Sequence, residues 1–497
     1  MSLQIFLQAQ IHGSERFLTS STSTDDGFAE LAGRCGWLSL ISEVLPRALL
    51  AELKLSRMLL GSSGGEQFLL VLTDESLTAA NEFLARAAAA ISEISGGTLD
   101  LVWASTENLG AWQIARKRLD DVLARKTSAP LAESPAEVVF APFERTGQAA
   151  PSDYFAQFGE KLFNAQRIGW SAANPAHLEC DAGDHTWALE NQSSADDDVI
   201  SYPRRCAMAA EPEAANQADD RPRIATPAEL AALAEGASRW GILRGDVDHF
   251  DLRLRRADSI EEHIQLSFVF KEFFAGELSL LCTLPEFWRK VTILYRGGDD
   301  FAVIGAWDAL VALARELERV FEKFAQQNLQ SFPGLEGKSI TMALELASTA
   351  EASPVAVFEA AGQQLQSAKT AEIGTFYLFG RTLEWKRLAD AEELKNGLVR
   401  LVKEFGYSAA YINDLASVYR EAYSAQATRR TKAIRVDKPW RTHMRLSRII
   451  PVSRRRELNQ LRTTLIANLI GKKTANAKLR PSGRVGLEWA RLATENN

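Results

Sequence analysis

The sequence predicts an α+β protein built from two copies of a ferredoxin-like layer, with a linker domain between them and a helical tail behind. Three observations carry that prediction. One order of elements (strand, helix, hairpin, helix, strand) is read at 1–130 and again at 226–390. Each copy holds, at its middle, two apolar runs closed by a glycine pair and an acid, "SSGGEQFLLVL" and "YRGGDDFAVIGAW". Between the copies, residues 181–223 are poor in large apolar side chains and rich in Asp, Glu, Ala and Ser, the composition of a loop or linker.

In the first copy, "LQIFLQAQI" reads as a strand. "GWLSLISEVLPRALLAEL" spaces its apolar residues at helical intervals, and "RMLLGSSGGEQFLLVL" places two apolar runs around a glycine turn, as a hairpin does. The helix "SLTAANEFLARAAAAISEI" and the strand "LDLVWAS" complete it. In the second copy, "RWGILRGDV", one long helix "SIEEHIQLSFVFKEFFAGELSLL", the hairpin "KVTILYRGGDDFAVIGAW", the helix "ALVALARELERVFEKFAQQ" and the strand "SITMALELAS" repeat that order. A further helix, "SPVAVFEAAGQQLQSAKTA", and a final strand, "GTFYLF", follow. Each copy is expected to be one antiparallel sheet with helices on one face. Residues 131–225 are the linker domain, and 391–497 are helical by pattern.

The 497 residues are 46% hydrophobic and 24% charged, enough apolar material for several cores. Four scattered cysteines without a CxxC argue against a disulfide framework and fit a reducing cytoplasm, the expected location. The N-terminal stretch lacks the pattern of a signal peptide, and no apolar run is long enough to predict a membrane span. The net charge of −7 conceals a split: from Arg429 to Arg480 there are sixteen Lys/Arg against two acids. Clusters such as "RTHMRLSR" and "SRRRE", the latter with Arg454, Arg455 and Arg456, point to RNA phosphates or an acidic neighbouring subunit, because guanidinium groups pair bidentately with phosphate and carboxylate.

The chemistry concentrates in the second copy. A glycine turn lets a strand pair present a carboxylate at its tip, and the end of an adjacent strand reaches the same point. Asp299 and Asp300 in "YRGGDDF" and Asp246 and Asp248 in "GDVDHF" are therefore expected to converge. Two carboxylates about 4 Å apart repel by roughly 4 kcal/mol at an effective dielectric near 20. Such a cluster persists only with shifted pKa values or a bound cation, and oxygen-only ligands suit Mg²⁺ or Mn²⁺ with substrate phosphates. That chemistry is nucleotidyl transfer on a nucleoside triphosphate. The first copy has "GGEQ" (Gly64, Gly65, Glu66, Gln67) and no acid on its leading strand. It is expected to be catalytically inactive and to contribute fold and a nucleotide-binding wall, with Glu66→Ala leaving synthesis within a fewfold of wild type.

With these motifs in place, the chain resembles the large, polymerase/cyclase-like subunit of type III CRISPR effector complexes. The likeness runs over almost the whole chain: two tandem palm (nucleotidyl cyclase-like) domains, "GDVDHF" and "YRGGDDF" in the second, a linker domain and a helical C-terminal bundle. "GRCGWLSLISEVLPRALLAELKL" followed by "SSGGEQFLLVL" is similar to the first palm of that family. The resemblance implies an enzyme that joins ATP by 3′–5′ bonds into cyclic oligoadenylates when guide RNA captures target RNA. Its partners would be the other effector subunits and both RNAs. It implies Asp246 and Asp299 as metal ligands, Asp248 and Asp300 as supporting acids, and Gly297 and Gly298 as the turn that approaches the triphosphate. It further implies Ser267 near the adenine and Lys369, in "QSAK", on phosphate.

Three departures qualify it. Many members begin with an HD nuclease domain; this chain starts at the first palm without a His-Asp pair there, so DNA cleavage is not expected of it. The linker often carries a four-cysteine zinc site; here Cys180, His185 and Cys206 are too few and badly spaced, so zinc is not expected. His249 stands where asparagine is common, and is read as a groove-lining or exposed residue. Two other readings compete: a diguanylate cyclase, since GGDD is a variant of GGDEF, and a catalytically silent scaffold.

Overall fold

The computed structural model describes residues 3–20, 27–133, 152–189, 199–202, 207, 223–424, 434–435, 444–445, 447–449, 452–470 and 478–495. Cys206, the arginine pair at 429–430, half of "RTHMRLSR" and most of the acidic linker loop lie outside those residues. The first palm contains β1 (Gln4–His12), α1 (Gly27–Glu52), β2 (Leu60–Gly64), β3 (Gln67–Thr73), α2 (Asp74–Ile94) and β4 (Asp100–Glu107). Its antiparallel sheet has the order β2-β3-β1-β4, with the first strand central as in ferredoxin-like layers.

Between the palms, the linker domain folds into a helix and a small sheet, whose last two strands fall within the stretch expected to be loop. Helix α3 (Ser152–Asn164) is followed by β5 (Arg167–Trp170), β6 (Leu178–Cys180), β7 (His185–Leu189) and β8 (Val199–Ile200), which form a small sheet of order β6-β5-β7-β8. Strands of two to five residues leave no readable alternation. This unit is pinned to α1 at close range: a Cβ on Gly33 would lie 1.7 Å from the Phe155 carbonyl oxygen. Trp37 Nε1 adds a hydrogen bond to the Ala176 carbonyl at 2.9 Å.

The second palm contains β9 (Trp240–Val247), α4 (Ile260–Glu272), β10 (Val291–Arg296), β11 (Asp300–Ala306), α5 (Trp307–Asn328), β12 (Ile340–Leu346), α6 (Pro354–Ala371), β13 (Thr375–Leu378) and β14 (Arg381–Glu384). The order β10-β11-β9-β12 repeats that of the first palm strand for strand. Three expectations need correction. The single final strand is a hairpin, β13–β14, turned at Phe379 and Gly380, both at positive φ, and it extends the sheet to six strands. The long helix is broken by a π turn over Phe273–Glu277. That turn lets consecutive phenylalanines both reach the core, Phe273 against Phe321 and Phe274 stacked on Phe301.

The third correction concerns the faces. Helices were expected on one side of each sheet. Here Leu243, Val303 and Phe301 face α5 and Phe270, while Trp240, Ile242, Ala302 and Ile304 join a core with α1 of the first palm and Phe358 and Ala361 of α6. β10 and β11 are accordingly buried along nearly their whole length, the pattern of strands covered on both sides. The tail packs α7 (Trp385–Lys403), α8 (Ala410–Ser424), α9 (Arg456–Ile470) and α10 (Pro481–Thr494) around Leu398, Leu415 and Leu469, and α10 returns Val485 and Leu492 to the second palm's core. Among the described residues, no helix is long and apolar enough to cross a membrane.

Polar ties also join the palms. Arg244 on β9 makes a bidentate pair with Glu15, at 2.8 and 2.9 Å. Glu43, buried on α1, accepts from Lys271 of α4 at 2.6 Å, Arg47 at 2.9 Å and Ser63 Oγ at 2.7 Å. Burial alone would raise its pKa, but Lys271, Arg47 and Arg296 outweigh that and hold it down at about 2. A depressed carboxylate stabilises the fold above its unfolded pKa near 4.5 and loses that contribution as pH falls toward 2. Lys271→Ala is expected to destabilise the chain by about 3 kcal/mol, the low end for a broken buried pair because Arg47 and Ser63 remain. Denaturant unfolding checks it, and a loss under about 0.5 kcal/mol, the range of ordinary surface changes, would show that the pair is not a tie.

Candidate active site

β9 and β11 are paired so that Asp246 lies directly opposite Asp300. Opposed residues share a face, and this is the face turned toward α1 and the first palm. The hairpin tip closes with two backbone bonds: Gly297 N donates to the Asp300 carbonyl at 2.8 Å, and Val247 N to the Asp299 carbonyl at 2.9 Å. A Cβ at 297 would stand 1.8 Å from Asp300 Oδ1, so any side chain there would push that carboxyl aside. Gly298 meets the other palm. A Cβ on Gly65 would lie 2.8 Å from Gly298 N, so the two glycine hairpins touch tip to tip.

The duplicated register assigns equivalents. Ile11 N donates to the Glu66 carbonyl at 2.8 Å as Val247 N does to Asp299, and Gln10 pairs with Gln67 as Asp246 does with Asp300. Glu66 thus occupies the place of Asp299, while amides stand where the second palm has Asp246 and Asp300.

Asp299, Asp300, Asp246 and Glu66 form one electrostatic cluster. Burial, then the charges of Glu66 and Asp246, push the Asp300 carboxyl up to about 8. Burial and the neighbouring Asp300 and Asp246 raise Asp299 well above the usual carboxylate range. Asp246 is raised by burial and moderated by Lys369 of α6, whose Nζ is 2.6 Å from Asp246 Oδ1. Asp248 is different. Fully buried, it accepts from Ser339 Oγ at 2.6 Å, Thr341 Oγ1 at 2.7 Å and Gly374 N at 2.9 Å, so it braces β9 against β12 and the start of β13.

Ser267, on α4, lines a narrow cleft with Ser62, Gly64, Lys271, Gly298 and Asp299, and its Oγ donates to the His263 carbonyl at 2.9 Å. His249 is exposed at φ 57, left-handed backbone that His, Asn and Asp enter more readily than other side chains. Arg454, Arg455 and Arg456 are exposed at the start of α9 and line no part of this cleft. His185 Nε2 lies 3.1 Å from Glu52 Oε1. The sequence pattern gave no role to Lys271 and placed Glu66 in a hairpin expected to be inactive; the glycine-acid repeat at Gly65–Glu66 was the available signal for a site role of the latter.

Among the described residues, no three His, Cys, Asp or Glu side chains are arranged ready to hold a metal ion. The donor chemistry nevertheless fits a hard cation. Like-charged oxygens crowd one point, and an ammonium, Lys369, already sits on Asp246.

Residues 239–373, which hold all four aspartates, match the family described as Cas10/Cmr2, second palm domain. The chain is Cas10-like. A curated relative, the CRISPR system single-strand-specific deoxyribonuclease Cas10/Csm1 (subtype III-A) of Thermococcus onnurineus, is 25% identical over 179 residues, 33% of this chain and 22% of that protein. The protein of the same description from Methanocaldococcus jannaschii is 32% identical over 114 residues, 20% of this chain and 14% of that one. The matched segments thus span under a quarter of those relatives' length. The Cas10-like fold extends further. A chain in the crystal structure of a Csm1-Csm4 cassette in complex with AMPPNP superposes over 99% of this chain and 70% of its own, with TM-score 0.70 and 17% identity. A Csm1-Csm4 cassette in complex with cA4 gives the same TM-score, coverage and identity. Tandem palms with appended helical regions are therefore the architecture of this chain.

A carboxyl raised in the fold binds a proton that the unfolded chain has released. Between about pH 4 and pH 8, stability therefore falls as pH rises. Asp300→Asn removes that term and is expected to raise the unfolding temperature at pH 8, with the gain shrinking toward pH 5. Thermal unfolding across that range checks the sign; a gain that grows on acidification would contradict it.

Proposed function

We propose that this chain is the large subunit of a type III CRISPR effector complex, and that it makes cyclic oligoadenylate from ATP when the complex's guide RNA captures target RNA. The observation that carries the reading is the register-matched pair Asp246 and Asp300, with Asp299 at a glycine tip, inside the segment that matches the Cas10/Cmr2 second palm. The nucleotide-bound Csm1-Csm4 structures of the same fold support ATP as substrate. Asp246 and Asp299 would hold Mg²⁺ or Mn²⁺, which when bound acidifies the attacking 3′-hydroxyl and neutralises the leaving pyrophosphate.

The chain's own residues would do the rest. Gly297 and Gly298 keep the tip bare, so that backbone can approach a triphosphate. Lys369 would exchange the Asp246 carboxylate for a phosphate oxygen as substrate enters. Asp300 supports the tip from beneath, and Asp248 fixes the end of β9. Ser267 spends its proton on His263, which leaves its oxygen as an acceptor. An acceptor there suits the exocyclic amine of adenine and repels the carbonyl of guanine.

Asp299→Ala combined with Asp300→Ala is expected to abolish nucleotide synthesis and leave assembly intact. Product formation at the wild-type rate in that double variant would overturn the assignment.

Arg454, Arg455 and Arg456 would contact RNA phosphate or an acidic subunit surface. Exposed arginines on a merely solvated face contribute about 0–1 kcal/mol, whereas phosphate contacts release counterions and weaken steeply with salt. Changing all three to Ala is expected to weaken RNA association and flatten its salt dependence. An unchanged slope with normal assembly would reduce the cluster to a solvated face.

A further inference from the structure

The two hairpins are alike in their bulges and differ in what the bulges aim. In β10 the register slips between Ile293 and Tyr295, so that Tyr295 is opposite Ala302 instead of Phe301. A bulge of this kind re-aims a side chain. Here it turns the Tyr295 ring away from the face of Phe301 and onto the face of Ala302, Asp300 and Asp246, where the ring is buried in the core shared with the first palm. β2 slips at the matching place, between Leu60 and Ser62, and sets Ser62 opposite Leu69. The device is present in both palms, but only the second carries a phenol.

The Tyr295 hydroxyl crosses between the palms. It donates to Glu66 Oε1 at 3.2 Å, and it stands beside Asp300 under the glycine tip: a Cβ on Gly297 would lie 1.8 Å from Asp300 Oδ1 and 2.9 Å from the Tyr295 hydroxyl. Glu66 is itself fixed. Its backbone is left-handed at φ 64, its carbonyl accepts from Ile11 N at 2.8 Å, and its Oε2 accepts from Ser14 Oγ at 2.9 Å. The bonded run Ser14–Glu66–Tyr295 therefore leads from the first palm to the side of Asp300 in the second.

Resting on the proposed nucleotidyl transfer, we propose that Glu66 and Tyr295 are positioning residues for that reaction: the degenerate hairpin holds the Tyr295 hydroxyl, and the ring so held packs beside Asp300 and limits where its carboxyl can stand beneath the tip. Glu66 acts as a hydrogen-bond acceptor of fixed geometry, and Tyr295 as the link. This revises the expectation that Glu66 is dispensable. It also accounts for why the first palm keeps a glycine-acid hairpin after losing the acids opposite it. A wall for nucleotide would need neither an acid at 66 nor a left-handed residue there.

The assembled complex is assayed with ATP, Mg²⁺ and target RNA, with the Asp299→Ala, Asp300→Ala variant as the control that tests the underlying function. If that control still makes product, the functional reading has failed. If it is dead, the remaining variants test the positioning chain. Tyr295→Phe and Glu66→Ala are each expected to lower kcat about tenfold, the worth of one hydrogen bond to a charged group, with KM for ATP within about twofold because neither side chain holds nucleotide. Glu66→Gln keeps an acceptor oxygen and is expected to recover kcat to within about threefold of wild type. The Glu66→Ala, Tyr295→Phe double variant is expected to be no slower than the worse single one, and the losses in unfolding temperature should likewise fail to add. Wild-type kcat in Tyr295→Phe would overturn the proposal, as would multiplicative losses in the double variant. Glu66→Gln as damaging as Glu66→Ala would also overturn it, since charge rather than acceptor geometry would then be what Glu66 supplies.

Discussion

Like charges crowded at a half-buried junction are the constraint on which the rest of this structure turns. Asp299, Asp300 and Asp246 meet Glu66 where two glycine hairpins touch, and burial raises every one of those carboxyls. Left to themselves they would drive the tips apart. The apolar core that continues from α1 through Ile242 and Ala302 to Phe358 opposes that, as do the pairs Arg244–Glu15 and Lys271–Glu43 on either side. Stability is spent at one point and recovered around it, the usual arrangement where a site must bind what its own charges call for.

Duplication with divergence accounts for the asymmetry. Strand order, hairpin position and even the bulge are retained in both palms, because they belong to the packing of the layer. What changed is the chemistry hung on the register. Gln10 and Gln67 replace the facing aspartates, which removes charge without altering the ladder. The first palm has thereby become a partner surface: its tip abuts Gly298, and its long helix covers the face on which Asp246 and Asp300 stand.

Much of this was legible in the sequence. The two glycine-acid hairpins, the leading strand ending in acids, and the matching order of elements all follow from local pattern, so both sheets could be anticipated. Contacts between the palms could not. Glu43 reads as one acid in a helix, and Lys271 as one lysine in another; only the fold brings them to 2.6 Å. Glu66 was seen, and set aside because the leading strand of its copy carries no acid, yet it also bonds across the interface to Tyr295. The β13–β14 hairpin escaped notice because its turn is Phe379–Gly380 and not an Asn-Gly or Asp-Gly pair. The linker's small sheet was hidden by strands too short to alternate. Asp248 looked like a fourth site carboxylate, and only its three donors mark it as a brace.

The central claim is that this junction makes adenylate rings on cue. Its most direct test is mass spectrometry of the nucleotides produced by the assembled complex, supplied with ATP or GTP, Mg²⁺, and target RNA present or withheld. The account predicts 3′–5′-linked cyclic oligoadenylates from ATP, and only when target RNA is present. A cyclic guanylate from GTP, or no nucleotide product under any of these conditions, would contradict it.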